Sequence, residues 1–187
     1  MMMTLKHKTI FAFTDTHGRH SGLGIPENMD ILVCAGDVCE DGDEAQLQDF
    51  FAWFAALPAN HKLFVPGNHD LPFDLDPEHA VHYIPKGVAY VENGGVTLGG
   101  VRFYVLPVRP WLHRENVPPF LPRNVDALVT HGAPQGIMDG DERWGCPILR
   151  EITNKIQPKI HIFGHYHQSD KQEITVGNTR FYNVAIV

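Results

Sequence analysis

The sequence predicts an α/β domain built of layered sheet and helix. Three observations predict it. Short apolar runs recur along the chain, and most are closed by a cluster of Asp, Asn, His or Gly. Two stretches between those runs carry apolar residues at helical spacing. The length of 187 residues suits a single unit, residues 1–187, large enough to bury a core.

Residues 8–14 (KTIFAFT) read as a buried strand that stops at Asp15. Residues 30–35 (DILVCA) are a second apolar run, ending at Gly36-Asp37. Residues 44–57 place Leu47, Phe50, Phe51, Phe54 and Leu57 on one helical face, and Pro58 stops the helix. Residues 61–65 (HKLFV) form a third strand, ending at Gly67-Asn68-His69-Asp70. Residues 88–106 show β-rich runs broken by glycine pairs, which predicts a meander of hairpins. Five prolines between 107 and 123 mark an irregular surface loop. Residues 125–130 (VDALVT) are a strand that leads into His131. Residues 146–157 predict a helix with Ile148, Leu149, Ile152 and Ile156 inward, closed by Pro158. Residues 160–163 (IHIF) are a strand ending at Gly164-His165-Tyr166-His167. Residues 172–176 and 179–186 predict a last hairpin around Gly177-Asn178.

Composition narrows the function classes. The chain carries 15 Lys and Arg against 22 Asp and Glu, a formal charge of −7. So acidic a chain is a poor candidate for non-specific nucleic-acid binding, which needs cations to neutralise phosphates. It still suits a phosphate ester where metal ions supply the positive charge. No apolar run reaches the ~18 residues of a membrane span, and the first residues lead into Asp15 without a cleavage signal. Neither a membrane nor a leader is therefore expected. The three cysteines, Cys34, Cys39 and Cys146, form no C-x-x-C pair, which favours a reducing, cytoplasmic setting. Histidine is the outlier, with 12 residues.

Five polar clusters follow strand-like segments: Asp15-x-His17, Gly36-Asp37, Gly67-Asn68-His69-Asp70, His131 and Gly164-His165-x-His167. Carboxylate, amide oxygen and imidazole together suit borderline-to-hard divalent cations, and the lack of thiolates excludes a structural zinc knot. Along an extended strand, residues i and i+2 face the same side, so each D-x-H or H-x-H pair can aim two ligands at one point. Packing alone does not place Asp and His repeatedly at strand ends.

In that order the motifs D-x-H, G-D, G-N-H-D, H and G-H-x-H, spanning residues 15–167, resemble the calcineurin-like metallophosphoesterase superfamily. DTHGRH at 15–20, THGAPQGIMD at 130–139 and GCPILREI at 145–152 resemble its small metallophosphoesterase-domain-containing subgroup. The resemblance implies a four-layer α/β/β/α sandwich of two facing mixed sheets. It implies two divalent ions, with manganese the first expectation and iron, zinc, nickel or cobalt as alternatives. Asp15, His17 and His167 would hold one ion, Asn68, His131 and His165 the other, and Asp37 would bridge them.

The activity so implied is phosphoester hydrolysis by a hydroxide bridging the ions, with His69 as general acid. Glu40 and Asp70 are the two candidate carboxylates to orient His69. The related protein phosphatases favour the Glu40 position. Their phosphate-holding Arg is replaced here by Asp41, which weakens a phosphoprotein reading. Arg19, His20 and Arg143, with Asn68 and His69, are the candidate substrate contacts, and Trp144 could stack on a base. The favoured substrate is a small or nucleotide-like phosphodiester. The alternatives are a phosphomonoesterase, including protein phosphatase activity, and a non-catalytic protein-binding scaffold of the same fold.

Overall fold

The computed structural model describes residues 1–186. Two sheets face each other. The first has the order β1-β2-β3-β4-β5, with β1 Met2–Leu5, β2 Lys8–Phe13, β3 Met29–Cys34, β4 Ala59–Phe64 and β5 Val88–Tyr90. Strands β2 to β5 run parallel, and β1 joins β2 antiparallel. The second has the order β10-β11-β9-β8-β7-β6. Its strands are β6 Gly94–Leu98, β7 Val101–Val105, β8 Ala127–Val129, β9 Ile160–Phe163, β10 Gln172–Val176 and β11 Thr179–Asn183. Strands β7, β8, β9 and β11 are parallel, and β6 and β10 close the two edges as hairpin partners.

Two longer helices cover the outer faces: α1, Glu44–Ala56, on the first sheet and α4, Pro147–Ile156, on the second. The short α2, Pro72–Leu75, and α3, Pro77–Ala80, follow β4. The predicted four layers are therefore present. No helix among the described residues is long and apolar enough to cross a membrane.

The apolar sequence of the central strands explains the layering, because strands covered on both faces need no polar alternation. Ile10, Ala12, Ile31, Val33 and Leu63 point between the sheets, against Phe103, Val105, Val129 and Ile162. Their neighbours Phe11, Phe13, Leu32, Cys34 and Phe64 point outward onto Leu47, Phe50, Phe51 and Phe54 of α1. Asp43 caps α1 by accepting from the Ala45 and Gln46 N–H groups. On the far side Tyr104, Leu106 and Leu128 meet Leu149, Ile152 and Ile156 of α4.

The structure departs from the sequence reading in two places. Strand β1 was not anticipated. It pairs through a two-residue loop, Lys6-His7, in which both residues take positive φ without the Asn or Gly that normally signals such a turn. Residues 88–106 are not one meander. Strand β5 completes the first sheet beside β4, and only β6-β7 is a hairpin, on the edge of the second. The Gly94-Gly95 pair lies just after the change of sheet, not in a hairpin turn.

Opposite the strand ends that carry the polar clusters, Asp126 is buried where β8 begins. It accepts from Lys6 Nζ at 2.6 Å, Arg102 Nε at 3.0 Å and Lys159 Nζ at 3.1 Å. Lys6 belongs to the first sheet's hairpin, so this carboxylate ties the two sheets together. Burial pushes its pKa up, but hydrogen bonds from Arg102, Lys6 and Lys159 hold it well below the usual carboxylate range.

Candidate metal centre

The parallel strands of both sheets end on one edge, and there the polar clusters meet. Asp15 and His17 follow β2, Asp37 follows β3, and Asn68 and His69 follow β4; His131 follows β8, and His165 and His167 follow β9. Backbone links knit the edge: Asp15 N–H donates to Gly36 O at 2.9 Å, His17 N–H to Asp37 O at 3.0 Å and Gly164 N–H to His131 O at 2.8 Å. Gly67 and Gly164 are required by crowding. A Cβ on Gly67 would run into the Asp37 carboxylate, and one on Gly164 into Thr14 and Asp15.

Three compact donor groups result, one of them His17 with Glu40 and His69. Asp15, His17 and His167 bring ligand atoms within 4.8 Å of one another, and so do Asp37, His131 and His165. His131 Nδ1 lies 2.8 Å from the Ala35 carbonyl, which makes that nitrogen the donor and turns Nε2 toward the site. Nε2 lies 3.0 Å from Asn68 Oδ1 and 3.2 Å from Asp37 Oδ2. His167 Nε2 is 3.3 Å from Asp15 Oδ1, while the His165 N–H donates to Asp15 Oδ2 at 3.1 Å.

These residues fit divalent cations. Asp15 is fully buried, and its Oδ1 makes no well-directed hydrogen bond despite His167 Nε2 at 3.3 Å, nor does His17 Nδ1 with Glu40 at 3.5 Å. An orphaned buried carboxylate oxygen is costly unless a cation completes it. Without an ion, the donor groups lean on one another. Burial pushes Asp37 up, yet the neighbouring His131 holds it below the usual carboxylate range. Burial lowers His131, but Asp37 outweighs this and raises it to about 9. His165, desolvated and beside His131, drops to about 4. Four of the seven predicted ligands, Asp15, His17, Asp37 and His165, take positive φ, a cluster of unfavourable backbone at one place.

The remaining predicted residues fall into three groups. His69 stands beside the donors, its ring 4.9 Å from that of His17. Its Nδ1 faces Asp41 Oδ1 at 3.0 Å and Glu40 Oε2 at 3.9 Å. Glu40 also approaches His17 Nδ1 at 3.5 Å. Asp70 does not orient His69. It is fully buried and accepts from the N–H groups of Gly67, Asp37 and Val38 at 2.8–2.9 Å, locking two ligand loops together. Burial, and then the charge of Asp37, raise its pKa to about 6.

His20 does not line the site either. It is buried against Phe50 and Trp53, with Nε2 3.2 Å from Asp49 of α1. Arg143 is exposed and lies outside the cavity beside the ligands, whereas Trp144 lines it. That cavity, about 520 Å³, is walled by His165, His167, Tyr166, Trp144, Asp141 and Glu142, among others. Arg19 is exposed beside Asp15 in a second cavity of about 320 Å³.

Sequence reasoning missed Tyr166, whose ring lies 4.9 Å from that of His165. Asp41, read from the sequence only as standing in the place of an arginine, also lies next to His69 Nδ1. Cys39, beside Asp37, is no nucleophile, because burial pushes its thiol far up.

A fold of two facing sheets with acidic and imidazole ligands gathered at the shared strand ends is that of a metal-dependent phosphoesterase. The chain belongs to the calcineurin-like phosphoesterase family, whose model matches residues 8–169, and that family generally uses a dinuclear divalent site. Among curated proteins it is similar to UPF0046 protein K07C11.7 of Caenorhabditis elegans, 33% identical over 94% of this chain and 69% of the relative. It is 29% identical to human metallophosphoesterase domain-containing protein 1, over 92% of this chain and 64% of that protein. Among solved structures, the phosphopantetheinyl hydrolase PptH of Mycobacterium tuberculosis shares the fold, with a TM-score of 0.59 at 17% identity. The match covers 95% of this chain and 88% of that one.

Proposed function

We propose that this phosphoesterase hydrolyses small phosphodiesters, with Asp15, His17 and His167 holding one divalent ion, Asn68, His131 and His165 a second, and Asp37 shared. Bound there, two such ions supply Lewis-acid charge to phosphoryl oxygens and a water nucleophile usable at neutral pH. Manganese is the first metal to test. The remaining work falls to the chain. His131 is fixed in one tautomer by Ala35 O. His69 turns Nδ1 to Asp41 and Glu40, which leaves Nε2 to protonate the departing oxygen.

The observation that carries the diester reading is the acidic rim. Glu40 and Asp41 stand beside His69, and Asp141 and Glu142 line the cavity that also holds His165 and His167. Such a rim repels a monoester dianion more than a diester monoanion. The test compares bis-p-nitrophenyl phosphate with p-nitrophenyl phosphate on metal-stripped protein, with and without Mn²⁺. Metal-dependent turnover favouring the diester is expected, with loss of at least about 10³-fold in Asp37→Asn. Preference for the monoester overturns the reading.

A further inference from the structure

The cavity around Arg19 differs in charge from the acidic rim. It holds about 320 Å³ and is lined by Asp15, Thr16, Arg19, Leu23 and Lys171, among others. Its one carboxylate, Asp15, is fully buried and belongs to the ligand cluster. Two cations therefore face a cavity whose wall is shared with the metal-holding edge. Arg19 pairs with no carboxylate among the described residues, and Lys171 meets only its neighbour Asp170, at 3.4 Å. Both cations are carried by ligand loops. Arg19 lies two residues after His17, and Lys171 four after His167, so they flank the same half of the site. In a protein of charge −7, two cations gathered on one cavity beside the site are informative.

We propose that Arg19 and Lys171 form a subsite for a second anionic group of the substrate, a carboxylate or a further phosphate. The phosphodiester lies at the metal centre and its anionic tail lies in this cavity. Arg19 offers a planar fork suited to either oxyanion, and Lys171 a mobile point charge. The acidic rim on the other side excludes the reversed orientation, so the charge pattern sets direction as well as affinity. This inference rests on the diesterase reading of the centre, and its test separates the two.

The probes are p-nitrophenyl 2-carboxyethyl phosphate, p-nitrophenyl 4-carboxybutyl phosphate, their neutral methyl esters, and the 2-phosphoethyl analogue. Turnover of bis-p-nitrophenyl phosphate by the Mn²⁺-loaded protein reports on the centre alone. The ratio of kcat/KM between the acid and its methyl ester reports on the subsite. For the wild type this ratio is expected to reach about tenfold at low salt and to shrink in high salt. The 2-phosphoethyl analogue shows which oxyanion is preferred. Arg19→Gln, Lys171→Gln and the double variant should carry the ratio toward one through KM, the acid losing more kcat/KM than its methyl ester. Lys155→Gln, on α4, serves as the surface-charge control and should change neither. Where no ester is turned over, calorimetric titration with 2-carboxyethyl phosphate against ethyl phosphate reads the same ratio as Kd. A wild-type ratio near one at both tail lengths, or a ratio that survives the double variant, overturns the proposal.

Discussion

His69 shows how much of a residue's role depends on what faces it. Its Nδ1 sees Asp41 at 3.0 Å and Glu40 at 3.9 Å but is in hydrogen-bond geometry with neither, so the nearer carboxylate, Asp41, is the candidate to orient the ring once it turns. His69→Gln should therefore slow hydrolysis by about 10²–10⁴-fold. The loss should be greatest for alkyl leaving groups, which need a proton, and smallest for p-nitrophenolate. Asp41→Asn should repeat that leaving-group pattern in milder form with metal content unchanged. Equal slowing of all leaving groups would remove Asp41 from the role. Asp126 is the residue-scale counterpart for stability. Replacing it by Asn should cost about 2–3 kcal/mol at neutral pH, the scale of hydrogen bonds to charged groups. Its folded pKa is depressed, so the unfolded chain binds its proton first as pH falls. The gap between wild type and variant, measured by urea titration, should be full at pH 7, begin to narrow at about pH 4 and close only as pH falls on toward the depressed folded value.

At the scale of the element, what was legible in the sequence was what had a local signal. Helix α1 was readable because Leu47, Phe50, Phe51 and Phe54 repeat at helical spacing and all four are buried. Strands β2, β3, β4, β8 and β9 were readable as apolar runs, and their terminal clusters, through the family they resemble, pointed to the candidate ligands. Strand β1 was not, because its turn uses Lys6-His7 where a hairpin signal requires Asn or Gly. Strand β5 was misassigned because the change of sheet after Tyr90 is a tertiary event with no composition of its own. The same limit explains Asp70 and His20. Each sits in a motif, but the direction of its side chain depends on which loop or helix packs over it. Helix α1 also makes an element-scale prediction. Phe50 packs on Phe13, Phe54 and Phe64, so Phe50→Ala should destabilise by about 3–5 kcal/mol. Because the ligands stand on strand ends rather than on this helix, the folded fraction should keep its metal stoichiometry, as read by elemental analysis.

At the scale of the whole molecule, the site is assembled from both sheets. Asp15, His17, Asp37 and Asn68 belong to the first and His131, His165 and His167 to the second. Each candidate ion would draw ligands from both, so metal binding and sheet–sheet cohesion are one equilibrium. Added Mn²⁺ at a hundred times its Kd should stabilise the protein by about 2.7 kcal/mol per site, visible as a rise in Tm that a chelator reverses. Asp37→Asn should abolish most of that rise and also lower the Tm of the metal-free protein, because it leaves His131 without its buried partner. A metal-independent Tm would contradict the shared assembly.

The positive φ angles at Asp15, His17, Asp37 and His165 have a consequence for how such a chain can evolve. Each costs a residue with a Cβ of the order of 1 kcal/mol, and glycine would relieve it. Drift away from activity is thus thermodynamically downhill in the absence of metal: His17→Gly should leave the bare fold as durable as before, or more so. Only the ion restores the advantage of the ligand. A lineage released from selection for hydrolysis should therefore lose these positions first and keep its sandwich intact.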